Sequence, residues 1–310
     1  PAGSSFSVNL AIICTCRANI ASVACDGYAM NEARFRKDKG MPVLSAVSKR
    51  AGKAIVEFGM IQEGDRIAVA VSGGKDSLSL LHVLRDRWRI SPVKFDFTAV
   101  HIDFEFSDFN PQALIEYLQK EGFPCLVEKA DSLKDEKYGD IDCFRWSRNR
   151  RKALFKLADR EGFNKIAFGH HMDDIVETIL LNQFYRGEIG AMKPKQELFG
   201  GEITIIRPLA YTREEAMVRL AQELGIAGMG QSKCANDDTS HRMLIKKMLR
   251  QFEQENPTVV ANIFHSLQNV KADYLIETVQ SPSHNAILRQ AQDPSRRNPE
   301  RSRGTKSPGL

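Results

Sequence analysis

Val69-Ala70-Val71-Ser72-Gly73-Gly74-Lys75-Asp76-Ser77 is the stretch whose reading decides the fold. It opens on an apolar run, Ile67 to Val71, of the kind a strand buried on both faces needs. It leads into an amphipathic pattern with Leu80, Leu81, Leu84 and Trp88 on one side, which predicts a helix. Between them stand two glycines, a lysine and two hydroxyls. Bare backbone N–H groups, the positive end of a helix and one ammonium together form a phosphate cradle. The spacing is not that of the common nucleoside-triphosphate loop G-x-x-x-x-G-K-[ST], which would put glycine at Val69 and a hydroxyl at Asp76. A plain glycine turn beside a surface lysine is the bland alternative. The order strand, loop, helix argues against it.

Outward from this loop, strand and helix patterns alternate. A helix over 44–58 precedes the loop's strand, and Phe95 to Phe104 reads as a second strand, carrying His101 and Asp103. A helix over 111–120, a short strand over 125–128, a basic helix over 143–158, a strand over 165–169 and a helix over 175–185 follow. Such alternation implies an α/β fold: a doubly wound parallel sheet with helices on both faces. Ligands on such sheets sit at the carboxyl ends of the strands, where Ser72, Asp103 and His170 fall. Beyond Arg186 a small hairpin over 197–208, a helix over 212–224 and closing helices over 241–252 and 257–270 are expected. The expected organisation is an extension foreign to the domain (1–29, with Met30 as the start), an ATP-binding α/β domain (30–225), a C-terminal loop and helices (226–275), and a disordered basic tail (281–310).

Bulk composition bounds the function. The chain has 310 residues, 42% of them hydrophobic, enough to bury one large core, and no apolar run approaches the length of a membrane helix. Net charge is +5, but +4 of it lies between Arg289 and Lys306, so any RNA argument must rest on local patches. Six cysteines (Cys14, Cys16, Cys25, Cys125, Cys143, Cys234) are too few and too scattered for a disulfide framework, which fits a reducing cytoplasm.

Three further segments carry chemistry. In Gly169-His170-His171-Met172-Asp173-Asp174, a glycine permits close backbone approach, and two carboxylates at a helix start can hold Mg²⁺ or orient a ribose or phosphate. An ordinary helix start, where Asp is favoured with no ligand, is the alternative. From Cys143 to Lys156 lie six cations and no anions, a local patch for RNA or triphosphate. Those cations would also favour the thiolate of a nearby cysteine. Cys234 sits in a polar loop, Gln231 to Asp238.

The Ser-Gly-Gly-Lys-Asp-Ser loop resembles the PP-loop of the ATP pyrophosphatase superfamily, which splits ATP between the α and β phosphates. Taken together, five further features make the chain similar to the tRNA 2-thiocytidine synthetase family over roughly Met30 to Val270. These are Cys143 before Arg150-Arg151, Gly-His-His-x-Asp-Asp, Ile206-Arg207-Pro208-Leu209, Cys234, and Ile263-Phe264-His265-Ser266-Leu267. The resemblance implies ATP and Mg²⁺ as cofactors, tRNA as substrate, a sulfur donor such as a cysteine desulfurase, and no membrane. It leaves the oligomeric state open, a homodimer included.

By that resemblance Ser72, Gly73, Gly74, Lys75, Asp76 and Ser77 bind the triphosphate, with Asp103, Gly169 and Asp173 on the nucleotide side. Lys75, Arg150 and Asp173 serve catalysis, His170 lies beside them, and Cys143 and Cys234 handle sulfur or ligate metal. The family holds a [4Fe–4S] cluster on a Cys-x-x-Cys pair and one downstream cysteine. Here the second position of the pair is Trp146, whose indole offers only an N–H donor. A cluster would need a substitute ligand such as His170, His171 or Asp237. Otherwise two cysteines are left for persulfide chemistry. A tRNA(Ile) lysidine synthetase-like ligase and an ATP-binding relative without sulfur transfer remain the alternatives.

Overall fold

The computed structural model of the protein describes residues 40–103, 111–129, 143–227 and 241–276. The expected extension 1–29, Cys234 with its loop, and the tail 281–310 lie outside them. Helix α1 (Pro42–Glu57) precedes strand β1 (Asp65–Ala70), which runs through the cradle loop into α2 (Lys75–Ile90). Then come β2 (Phe95–Asp103), α3 (Gln112–Glu121), β3 (Cys125–Lys129), α4 (Cys143–Glu161), β4 (Lys165–Ala167) and α5 (Met172–Arg186). A hairpin of β5 (Lys195–Leu198) and β6 (Ile203–Ile206) leads to α6 (Glu214–Glu223), α7 (His241–Glu255) and α8 (Val259–Ser266). No helix among the described residues is long and apolar enough to cross a membrane.

The strands form one sheet in the order β3-β2-β1-β4-β6-β5. All neighbours are parallel except β5, which runs antiparallel to β6. This is the doubly wound α/β sheet that the alternation implies, with one addition. The hairpin is no appendage: β6 lies beside β4, with Ile166 opposite Ile205. All four residues of Ile203–Ile206 are buried, as a continuous apolar run in a parallel sheet requires.

Alternation along β1 assigns the two layers. Ile67 and Val69 join a core with Val47 and Ala51 of α1, Leu80, Leu81 and Leu84 of α2, Leu118 of α3 and Leu220 of α6. Ala68 faces the other way, onto Leu154, Leu157 and Ala158 of α4. At the amino end of the sheet, Lys165 pairs with Asp65 at 2.8 Å, both buried, and also donates to the Met60 carbonyl at 2.9 Å. Asn164 Nδ2 donates to the second oxygen of Asp65 at 2.9 Å, so β1 and β4 are pinned together below the site.

The chain divides into two compact units, one through Ala261 and one from Asn262 onward. In the second, Ser266 Oγ donates to the Ile263 carbonyl at 2.7 Å, and Ala272–Tyr274 form a 3-10 turn.

Candidate active site

Strand order reverses between β1 and β4, with β2 and β3 on one side and β6 and β5 on the other. In sheets of this kind the crevice beyond the carboxyl ends at the reversal receives the ligand. Here the cradle loop leaves β1 at that point, and Phe168-Gly169-His170 leaves β4.

The loop is folded on itself by its own hydroxyls. Gly73 has φ 85°, a left-handed value that favours glycine, and Gly74 caps α2 with extended backbone. Ser77 Oγ donates to the Gly74 carbonyl at 2.9 Å and accepts from the Ser72 amide at 3.3 Å, so this hydroxyl shapes the cradle. The first amides of α2 have no intrahelical acceptor and carry the positive end of the helix dipole. Lys75 Nζ lies 2.9 Å from Asp76 Oδ2, both side chains partly exposed. The other oxygen, Asp76 Oδ1, is buried and has no hydrogen-bond partner among the described residues.

Gly169 locks this loop to β4. A Cβ there would lie 2.9 Å from the Asp76 carbonyl carbon and oxygen and from the Ser77 amide nitrogen. The close backbone approach expected at this glycine is made by the chain's own loop.

Together these segments line a solvent-open cleft of about 190 Å³. Ser72, Asp76 and Ser77 wall one side, Arg150 and Arg151 of α4 another, and His170 and Asp174 a third. Ala70, Val100, Ile102, Leu154 and Phe168 supply apolar wall. His170 stacks on Phe168, ring centroids 5.5 Å apart, and its Nδ1 accepts from Arg207 Nε at 3.3 Å. Accepting at Nδ1 leaves the proton on Nε2. Burial, chiefly, lowers the His170 pKa to about 4, so the ring is a neutral donor at physiological pH. Arg207 is buried too, donating Nη1 to the Lys193 carbonyl at 2.5 Å, and desolvation lowers its pKa to about 10 without discharging it. His101, likewise lowered by burial, has its Nδ1 2.8 Å from the Val71 carbonyl and ties β2 to the root of the loop.

The two adjacent carboxylates part company. Helix α5 begins at Met172, three residues earlier than its apolar pattern suggests, so both lie in its first turn. Asp174 accepts from the His171 amide at 2.9 Å and walls the cleft. Asp173 instead accepts from the Glu214 amide at 2.7 Å and Arg213 Nε at 3.1 Å, joining α5 to the start of α6. Burial works against its charge, but bonds from His171, Arg213 and the Glu214 amide outweigh it and hold the carboxyl well below the usual range. Asp173 walls a separate cleft with Glu177, Arg213, Lys246 and Glu253.

Of the other expected site residues, Arg150 is brought to the cleft, while Asp103 is buried at the end of β2 and is not among the walls. Cys143 opens α4, with Trp146 one turn later, and Cys234 and Asp237 lie outside the described residues. Cys125 pairs with Ala99 at the start of β3, four residues short of that strand's carboxyl end. Among the described residues no cluster of three or more His, Cys, Asp or Glu could hold a metal ion. Arg207 belongs to the Ile206-Arg207-Pro208-Leu209 run and Arg213 to no motif, and nothing in the sequence signals what either guanidinium will face.

Fold and loop define a class: the family model of the PP-loop domain matches residues 44–252. Curated relatives are closely similar over most of their length. A tRNA-cytidine(32) 2-sulfurtransferase of Geobacter sulfurreducens is 39% identical over 237 residues, 74% of this chain and 92% of that protein. One of Alcanivorax borkumensis is 39% identical over 234 residues, 74% of this chain and 82% of that protein. The chain therefore belongs to the tRNA-cytidine(32) 2-sulfurtransferase family. Among solved structures, the U34-tRNA thiolase NcsA of Methanococcus maripaludis, determined with its [4Fe-4S] cluster, shares the fold. It superposes with a TM-score of 0.62 at 18% identity, covering 77% of this chain and 81% of its own.

Proposed function

We propose that this chain is an ATP-dependent tRNA thiolase that converts a cytidine, the one at position 32 by analogy with its relatives' name, to 2-thiocytidine. The observation that carries this reading is the cleft at the strand reversal, where the PP-loop, two arginines and a neutral histidine donor converge. The amides from Gly73 to Ser77 and the Lys75 ammonium receive the β and γ phosphates, and the adenine lies against the apolar wall. The cytidine O2 attacks the α phosphorus and pyrophosphate leaves. Lys75 and the helix dipole stabilise the charge that collects on it. Arg150 holds the adenylate, and His170 Nε2–H donates into the cleft. The base now carries AMP on its C2 oxygen. Sulfur adds to C2, and AMP departs with that oxygen.

Mg²⁺ fits the donor set at Asp76 Oδ1, buried and without a partner among the described residues, and at Asp174, and would neutralise phosphate charge there. That reassigns the metal-side role from Asp173 to Asp174. Asp173 and Asp103 support the site from outside the cleft, and Gly169 supports it by fixing the loop.

Sulfur handling is assigned to Cys143 and Cys234. A three-thiolate [4Fe–4S] set does not fit this chain, because the family's middle ligand is the Trp146 indole. Two thiolates suffice for persulfide transfer. The terminal sulfur of a Cys–S–S⁻ attacks C2, and the second thiolate cleaves the S–S bond, leaving a disulfide that an external dithiol reduces. A cysteine desulfurase in the cytoplasm is the proposed sulfur source.

The test separates the two half-reactions. Lys75→Ala is expected to abolish tRNA-dependent formation of AMP and pyrophosphate, whereas Cys234→Ala should retain adenylation and lose 2-thiocytidine. Equal adenylation by Lys75→Ala and wild type would overturn the assignment of the loop.

A further inference from the structure

Helix α4 carries an unusual charge pattern. Arg150 lies on its inner side with Leu154 and Leu157, against the sheet and the cleft. At 100° per residue, Arg148, Lys152 and Lys156 share one outward stripe, each four residues and about 6 Å from the next. All three are exposed. None has a carboxylate partner among the described residues, and no acidic residue occurs between Cys143 and Ala158. The pattern stops at Arg160, which is clamped by Glu128 at 2.9 Å and Glu161 at 2.8 Å.

Several part-buried cations elsewhere in the molecule are paired with carboxylates. Arg213 pairs with Glu253, Lys246 with Glu214 and Arg242 with Glu177. Leaving three like charges unneutralised along about 12 Å of one helix costs self-repulsion, and a polyanion relieves it.

Position adds direction. Helix α4 packs on β2 and β6 and supplies Arg150 and Arg151 to the cleft from its middle turns. The stripe flanks these two arginines on the Ala68 side of the sheet, opposite the layer of α1, α2, α3 and α6. We propose that Arg148, Lys152 and Lys156 form a phosphate-tracking rail along which the substrate RNA lies while its target base enters the cleft. The inference rests on the thiolase reading for its substrate and goes beyond it in fixing which face of the protein the RNA covers.

Phosphate contacts position without reading sequence, and each one releases counterions. Neutralising three of them should make the slope of log Kd against log salt shallower by about 2 to 3, at roughly 0.7 to 0.9 per contact. With the affinities converging at about 1 M salt, that slope corresponds to a loss of roughly three orders of magnitude at about 50 mM. The experiment is fluorescence anisotropy of labelled, unmodified tRNA between 50 and 300 mM salt. It compares full-length wild type, the triple variant Arg148→Gln/Lys152→Gln/Lys156→Gln, and a charge-matched control, Lys49→Gln/Arg50→Gln/Lys120→Gln, on exposed positions of the opposite layer. Thermal unfolding verifies that each is folded, and the KM for ATP should be the same in all three. The rail predicts a shallower slope and weaker binding in the first variant alone. An unchanged slope there, or an equal loss in the control, overturns the rail while leaving the thiolase reading intact. Failure of the wild type to bind tRNA at all would instead overturn that underlying reading.

Discussion

Gly169→Ala probes how tightly the geometry of the phosphate loop is fixed. A Cβ at this position meets three backbone atoms, the Asp76 carbonyl carbon and oxygen and the Ser77 amide nitrogen, all at 2.9 Å. Ordinary van der Waals contact begins near 3.4 Å, so β4's end and the start of α2 must separate by about 0.5 Å. None of the three atoms belongs to a flexible side chain, and the loop is further held by Ser77 Oγ on the Gly74 carbonyl. Overpacking of this kind costs about 1–3 kcal/mol of stability. A displacement of about 1 Å at reacting atoms costs about a hundredfold in rate, so half of that should cost about tenfold. Single-turnover AMP formation with saturating ATP and tRNA reads the rate, and urea unfolding reads the stability. A folded Gly169→Ala enzyme with the wild-type rate would refute the claim that this glycine sets the loop's position. Wild-type stability as well would refute the contact itself.

Other perturbations address separate parts of the molecule. Lys165→Met strands the buried Asp65 carboxylate beneath the sheet, and urea unfolding should show a loss of about 3–5 kcal/mol, largely recovered in Lys165→Met/Asp65→Leu. Arg207→Gln should release the His170 tautomer and lower the adenylation rate, with nitrogen-15 shifts of His170 moving away from a pure Nε2–H form. An unchanged spectrum would contradict the hydrogen bond. Because the folded-state pKa of His170, about 4, lies below its ordinary 6.5, the unfolded chain takes up this proton first as pH falls. The stability contribution is therefore whole above about pH 6.5 and is lost towards pH 4, and His170→Gln should flatten that part of the urea-midpoint profile. Asp173, depressed instead, contributes stability that is whole at neutral pH and fades as pH falls below about 3.9. Asp173→Asn should lose stability at pH 7 and converge on wild type in acid.

The loop, its flanking strand and helix, and most of the sheet were legible because each is a local pattern. Apolar Ile67–Val71 can only be a buried strand here, and the Gly-Gly-Lys loop can only precede a helix if its amides are to be used. What escaped the sequence is decided by contacts between distant segments. Asp173 and Asp174 differ by one residue, and which of them faces the cleft depends on Arg213 and Glu214 forty residues later. The hairpin strand Ile203–Ile206 could have packed as a separate ribbon, and its parallel pairing with β4 is set by burial on both faces. Gly169 signals close approach but not by what. Arg207, within an Arg-Pro-Leu motif, gives no sign that it will orient a histidine.

The most direct measurement of the central claim uses the intact protein with ATP, Mg²⁺, unmodified tRNA, and a cysteine desulfurase with cysteine as sulfur source. Nucleosides are analysed by mass spectrometry and the nucleotide products are quantified alongside. The cleft as read here predicts 2-thiocytidine in the tRNA, with one AMP and one pyrophosphate per base modified. Unmodified tRNA accompanied by ADP and phosphate would contradict it.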